Sequence, residues 1–127
     1  MAMQTEFTVI LDDRPGTAAL VGETLGRARV NIDGLCLFTS AGIAILHVLV
    51  SPHEVEHARQ ALLDARVDLH GERPVWVAQL VDRPGEMGRL LQVLANADVN
   101  CDLLYLDARG RLVIGAEDME EVSHLLS

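Results

Sequence analysis

One turn occurs twice in this chain, in the same sequence context. Residues 11–16 read LDDRPG, and residues 80–85, which lie 69 positions later, read LVDRPG. The correspondence continues through a helix-like stretch to Val30-Asn31 and Val99-Asn100. A repeat of this kind predicts two copies of one structural unit, each with its own copy of one site.

Length and charge agree with two small units. The 127 residues allow two units of roughly 60 residues, and a unit that small is marginal alone, so we expect the two to bury a shared face. The net charge is −9, with five Arg and nine acidic residues in 1–69 and five Arg and ten acidic residues in 70–127. Neither half has the basic surface that nucleic acids need, so we predict no nucleic-acid partner.

The element pattern after each turn is also repeated. Residues 7–11 are typical of a strand, and the turn is followed by an apolar helix face. This face comprises Ala18, Val21, Leu25 and Ala28, and its copy comprises Met87, Leu90, Leu94 and Ala97. The matched spacing predicts that both faces belong to the core.

A hairpin and a second helix complete the first unit. Strands are predicted at 35–38 and 43–50, around a turn at 39–42. Ser51 and Glu54 match a capping box with Pro52 at the first helical position, which predicts a helix start. A short strand over 67–70 then precedes Gly71-Glu72-Arg73-Pro74, which we predict to be the boundary between the units.

The second unit repeats this order but stops early. A helix is predicted from Gly85 to Ala97, strands at 99–106 and 112–116, and a helix from about Asp118, after which the sequence ends at Ser127. The prediction is an α+β fold of two ferredoxin-like βαββαβ units in tandem, 1–72 and 73–127, with antiparallel sheets and helices on one face. The second unit is expected to be incomplete, with its last strand absent, borrowed or supplied by a neighbour.

The chemistry of the turn suits a zwitterionic ligand. Gly16 permits a tight bend, and the N–H groups of Gly16, Thr17 and Ala18 lie at a helix start, where the dipole favours a carboxylate. Asp13 offers a negative charge to an ammonium group a few ångströms away. The alternative is that Asp13 only caps its helix and Asn31 only begins a strand. We expect Arg14 and Arg83 to face solvent or nearby acids.

The combination of strand, Asp-Arg-Pro-Gly turn, helix and Val-Asn-Ile resembles the ACT domain, a small βαββαβ module that senses ligands in amino-acid metabolism. The resemblance covers nearly the whole chain as a tandem pair. It implies an amino acid or similar small zwitterion bound where two units meet, between the turn of one and the asparagine-bearing strand start of the other. The ligand-binding residues that it implies are Asp13, Gly16, Thr17, Ala18, Asn31, Ile32, Asp82, Gly85, Glu86, Met87, Asn100 and Cys101.

Helix length supports a shared site. Asp13 and Asn31 would lie about 20 Å apart, at opposite ends of a helix, and could not hold one small ligand together. Units related by a twofold axis would instead bring the turn of Asp13 to Asn100, and the turn of Asp82 to Asn31. Differences such as Thr17 against Glu86 would make the two sites unequal.

The sequence also contains a string that is typical of an enzyme. His53-Glu54-Val55-Glu56-His57 spells the HExxH string of zinc hydrolases, but no third ligand stands at a familiar spacing. We therefore predict no enzyme activity, catalytic residue, metal or cofactor. The main alternative is a regulatory subunit or assembly module of an amino-acid biosynthetic enzyme. We expect a cytoplasmic homo-oligomer without a membrane partner, because no signal peptide or apolar span is recognised and Cys36 and Cys101 are unpatterned.

Overall fold

The computed structural model describes residues 2–127 and contains helices, strands and one 3-10 turn. In chain order these are β1 (Ala2–Asp12), α1 (Thr17–Arg27), β2 (Gly34–Ser40), β3 (Ile43–Val50), the 3-10 turn (Pro52–Glu54), α2 (Val55–Asp64), β4 (Asp68–Ala78), α3 (Glu86–Asn96), β5 (Cys101–Leu106), β6 (Leu112–Ala116) and α4 (Met119–Leu126). No helix in residues 2–127 is long and apolar enough to cross a membrane.

The strands are hydrogen-bonded in the order β2-β3-β1-β4-β6-β5, and the sheet is antiparallel. This confirms the predicted class, a mixed fold with an antiparallel sheet and helices. The chain divides into two compact units, one of residues 5–73 and one of residues 74–127 together with 2–4. Strands β1 and β4 therefore each contribute residues to both units.

The unit of residues 5–73 is built around the apolar side of β1, β3 and α1. Its core includes Phe7, Val9, Val21, Leu25 and Val48, all essentially inaccessible to solvent. The predicted helix face is therefore correct at Val21 and Leu25, but it is wrong at Ala18, which is exposed. Ala18 lies in the first turn of α1, whereas the buried side of the helix begins one turn later.

The second unit has a separate core, to which α3, α4, β4 and β6 contribute. Leu90, Leu94, Ile114 and Val122 are buried in it, so the copy of the helix face is also core. Met3 packs against the same cluster, which explains why residues 2–4 belong with this unit.

Residues 71–74, predicted as the boundary between the units, lie within β4, with side chains alternating between exposed and half-buried from Asp68 to Pro74. The two compact units divide between residues 73 and 74. The extended conformation also brings Glu72 to Arg59 of α2, with N–O distances of 2.6 and 2.8 Å. The predicted capping box is not formed: Ser51 precedes the 3-10 turn and its carbonyl oxygen accepts the N–H of Glu54, at 2.9 Å, but its side chain makes no cap hydrogen bond.

Candidate functional site

The first turn has the tight geometry that its sequence indicates. Gly16 has φ +92°, a conformation that favours glycine, and it caps the start of α1. The Thr17 hydroxyl donates to the carbonyl oxygens of Asp12 and Arg14, at 2.9 and 3.1 Å, which turns this side chain back into the loop. The N–H groups of Ala18 and Ala19 have no acceptor inside the helix, since they lie in its first turn.

The second turn has the same backbone conformation. Gly85 has φ +86° and caps the start of α3. The Arg89 N–H donates to the Gly85 carbonyl oxygen at 2.9 Å, just as the Leu20 N–H donates to that of Gly16 at 3.1 Å. The two copies of the turn therefore present equivalent helix starts, and they differ in the side chains placed on them.

Each turn borders a cavity in its own unit. The cavity at the first turn has a volume of about 300 Å³, and its lining includes Asp12, Thr17, Leu20, Ile43 and Arg66. The predicted ammonium partner, Asp13, is exposed and is not part of this lining, whereas its neighbour Asp12 is. The carboxylate that lines this cavity is therefore that of Asp12, because side chains alternate in direction along the end of β1.

The cavity at the second turn is larger and has both apolar and charged walls. Its volume is about 480 Å³, and its lining includes Asp82, Arg83, Glu86, Met87, Leu106 and Arg109. Three residues of the predicted ligand set, Asp82, Glu86 and Met87, thus surround one space. Leu106 and Val81 are about half exposed there and give the cavity apolar surface.

Glu86 is the buried charge of this second turn. Its side chain is 8% exposed, and its two carboxylate oxygens are each bound by an arginine. Arg89 donates to Oε1 at 2.6 and 3.0 Å, and Arg83 donates to Oε2 at 3.0 and 3.1 Å. These hydrogen bonds hold the pKa of Glu86 below its ordinary value, and the one from Arg89 contributes most. Glu86 is therefore charged at neutral pH, and we call the ion-paired group of Arg83, Glu86 and Arg89 the clamp.

Glu86 was predicted as a ligand-binding residue, but its ion pairs with Arg83 and Arg89 were not predicted. Arg83 and Arg89 stand three residues before and three residues after Glu86, and side chains with this spacing meet on a helix surface. This spacing is the sequence signal from which the two ion pairs could have been predicted. The prediction that Arg83 pairs with a nearby acid is correct, and so is that for Arg14, which lies 3.4 Å from Asp12.

The two asparagines lie at the other ends of the helices. Asn31 is exposed, and its side-chain amide donates to Asp33 at 3.1 Å. Asn100 lines a cavity of about 860 Å³ whose other lining residues include Asp98, Asp102, Glu117 and Glu121.

The residues that follow the asparagines are partly enclosed. Ile32 is half-buried and packs against the core of the first unit, and Cys101 packs against that of the second. Burial raises the pKa of the Cys101 thiol, with a further contribution from the charge of Asp102. At neutral pH Cys101 is therefore a neutral side chain.

Within one unit, the turn and the asparagine are separate. Asp82 and Asn100 line different cavities, and α3, with 11 residues, spans about 16 Å between them. A single unit therefore does not bring its own turn and asparagine around one small ligand. The pairing of each turn with the asparagine of the other unit stays a prediction.

The HExxH string is split between two elements. His53 lies in the 3-10 turn, 3.5 Å from the Ser51 hydroxyl, and His57 lies on α2. Among residues 2–127, no group of three or more His, Cys, Asp or Glu side chains is arranged to hold a metal ion.

Comparison with known proteins gives likeness of fold. No family model and no curated protein matches the chain. Protein BT0572 from Bacteroides thetaiotaomicron superimposes with a TM-score of 0.87 at 21% identity, over 98% of this chain and 86% of that one. The ligand-free regulatory subunit of aspartate kinase from Thermus thermophilus superimposes with a TM-score of 0.66 at 20% identity, over 98% of this chain and 89% of that one. The regulatory subunit of aspartate kinase from Thermus flavus superimposes with a TM-score of 0.66 at 16% identity, over 98% of this chain and 91% of that one. The chain therefore shares its fold, over nearly its whole length, with regulatory subunits of aspartate kinase.

Proposed function

We propose that this chain is a non-catalytic, tandem ACT-type sensor that binds a free amino acid beside its Pro-Gly turns. The observation that carries the proposal is the duplicated turn: a glycine with positive φ, an open helix start and an adjacent cavity occur in both units. The fold shared with regulatory subunits of aspartate kinase supports the same conclusion. In this proposal the sequence repeats 1–72 and 73–127 correspond to the two ACT units.

The first turn supplies complementary groups for a zwitterion. The N–H groups of Ala18 and Ala19 would receive the ligand carboxylate at the positive end of α1. Asp13, and Asp12 beside the cavity, would attract the ammonium group. The apolar wall formed by Leu20 and Ile43 would contact the ligand side chain. Asn100 and Cys101 are proposed as the second half of this site, and Asn31 and Ile32 as the second half of the site at the other turn.

Calorimetric titration of charge variants tests this site. Each standard amino acid is titrated into the wild-type chain, and the one that binds is then titrated into Asp13→Asn, Asn100→Ala and Glu23→Gln. Loss of a hydrogen bond to a charged group is worth about 1.5–3 kcal/mol, so we expect binding at least about tenfold weaker in Asp13→Asn. Glu23 is exposed on α1, and removal of its charge should leave binding unchanged. Equal affinity in all variants would contradict the assignment.

A second candidate is a regulatory subunit that acts on an enzyme. The observation in its favour is the likeness to regulatory subunits of aspartate kinase, which covers 98% of this chain. Under this proposal the amino acid is an effector, and the chain transmits its presence to a catalytic partner. Purification of the tagged chain from its native cells, with mass spectrometry of what remains bound, separates the two. A stoichiometric biosynthetic enzyme would favour the subunit, and the chain alone or as a homo-oligomer would favour the free-standing sensor.

A further inference from the structure

Strand β2 is an open edge of the sheet with apolar side chains on both of its faces. Within residues 2–127 it is the terminal strand of the sheet and is hydrogen-bonded to β3. Leu35 and Leu37 project to one face and Phe38 to the other, because side chains alternate along a strand, and all three are 43–54% exposed. The ring of Phe38 is stacked on that of His47, with the ring centroids 6.2 Å apart. The outer backbone groups of β2 and these side chains therefore form one surface.

This edge lacks the features that usually keep a strand edge from pairing. Such features include charged side chains, proline and bulges. Residues 34–53, which contain β2 and β3, include no Asp, Glu, Lys or Arg, and β2 itself contains no proline. The pairing of β2 with β3 keeps one register from Gly34 to Ser40. The edge is thus a regular, uncharged template for another strand.

Strand β5, at the other end of the sheet order, carries two such protective features. It contains Asp102, and its pairing with β6 shifts register between Cys101 and Leu103. A charge and a local irregularity both disfavour the addition of another strand. Leu104 of β5 is 39% exposed, so the exposure of apolar side chains does not by itself distinguish the two edges. Charge and regularity distinguish them, and both favour β2 as the edge that pairs.

We propose that β2 is an interaction surface on which β2 of a second copy of this chain pairs in antiparallel orientation. A strand fits this surface because it satisfies the outer backbone groups and covers side chains on both faces at once. Full overlap of residues 34–40 with their copy is centred on Leu37, so that Leu37 faces its own copy and Cys36 faces Phe38. None of the resulting cross-strand pairs contains a charged side chain.

Charge and symmetry favour a second copy over a foreign segment. Two chains with a net charge of −9 each repel one another, and a contact made through residues 34–53 brings no charged side chain of β2 or β3 into the interface. A foreign strand attracted to so acidic a chain would be basic, and β2 offers it no acidic partner.

Twofold pairing also closes both open β2 edges in one contact. Pairing of β2 with β5 would instead be heterologous and would leave an open edge on each copy. The inference does not depend on the proposed binding of an amino acid.

Sedimentation equilibrium of the full chain and of matched edge variants tests the proposal. We expect wild type to be a dimer. Leu37→Lys places two lysines directly opposite each other and removes the apolar pair, so its dissociation constant should rise at least about 100-fold. Leu104→Lys introduces the same charge at a similarly exposed leucine of β5 and should dimerise like wild type. Thr39→Lys removes no apolar side chain, so it keeps the test valid if Leu37→Lys does not fold, and it should also weaken the dimer.

The two cysteines report which strands meet. In the fully overlapped pair, Cys36 and its copy are diagonal neighbours, about 7–8 Å apart. A short bifunctional maleimide should therefore link two copies of Cys101→Ser through Cys36, and it should not link two copies of Cys36→Ser through Cys101.

Several results would overturn the proposal. The first is a wild-type chain that stays monomeric at the highest concentration at which it is soluble. The second is a dimer that is undiminished in the folded β2 variants. The third is a dimer that is lost in Leu104→Lys or linked through Cys101, since either would place the contact at β5.

Discussion

Replacement of Gly16 by alanine isolates the backbone strain of the first turn. Gly16 has φ +92° and ψ −15°, and a Cβ added there would meet no atom within 4 Å. Steric contact therefore contributes nothing, and the cost is that of holding an L-residue in a left-handed conformation, about 1–2 kcal/mol. Gly16→Ala should thus lower the free energy of unfolding by that amount.

The same substitution six residues later should have the opposite sign. Gly22 lies in the middle of α1, is exposed, and would also receive a Cβ without a contact. Alanine is favoured over glycine in a helix by about 0.5–1 kcal/mol, so Gly22→Ala should stabilise the chain. The two variants have identical composition, yet their unfolding free energies should differ by about 1.5–3 kcal/mol.

Urea denaturation followed by circular dichroism measures this difference. Gly85→Ala and Gly88→Ala form the corresponding pair in the second unit, because Gly85 has φ +86° and Gly88 lies in α3 with open space around it. The two pairs should behave alike if the turns are true copies. A neutral or stabilising Gly16→Ala would refute the left-handed turn, and with it the geometry on which the binding site depends.

Three further predictions address the cores, a helix cap and the clamp. Leu25→Ala and Leu94→Ala, at equivalent buried positions, should each cost about 3–5 kcal/mol in urea denaturation, and a cost below 1 kcal/mol would contradict the packing. Asp118→Ala removes the side chain that accepts the N–H of Glu121 at 3.0 Å, so the melting temperature should fall by an amount equivalent to about 1 kcal/mol, and an unchanged value would refute the cap. Because the flanking arginines lower the pKa of Glu86, its stabilisation is present above pH 5 and lost as pH falls through the lowered pKa. The melting temperatures of wild type and Glu86→Gln should therefore differ at pH 7 and converge as the pH falls through the lowered pKa, and a constant difference would contradict the ion pairs.

Local patterns predicted the parts of the fold that local physics controls. The turn at Gly16, the hairpin turn before Ile43 and the buried positions Val21 and Leu25 follow from φ preferences and helical spacing, which the sequence states directly. The strand over 112–116 was also predicted with the bounds that the structure gives. These features depend on residues close together in the chain.

Features that depend on distant residues were not predicted. Residues 71–74 have the composition of a loop, but Arg59 from α2 holds Glu72 and the strand continues. Residues 2–4 belong to a different unit from the rest of β1. No local sequence pattern predicts this division, because it depends on the apolar contacts that Met3 makes. Glu6 is fully buried because His47, 41 residues away, lies 2.6 Å from its carboxylate.

The candidate site divides in the same way. The glycines and the helix starts of both turns were predicted, because each is encoded within six residues. The surroundings of the side chains beside the cavities were not predicted: Asp12 borders the first cavity, and Glu86 is held by two arginines. Side-chain direction and ion pairing depend on the assembled surface, and the repeat alone does not specify them.

A thermal-shift screen of the twenty standard amino acids against the wild-type chain tests the central claim most directly. A ligand present at 100 times its dissociation constant adds about 2.7 kcal/mol to the stability of the folded state, which raises the melting temperature of a chain this small by several degrees. We predict that one amino acid, or a few of closely related shape, produces this rise and that the others do not. An unchanged melting temperature with all twenty, at millimolar concentration, would contradict the account.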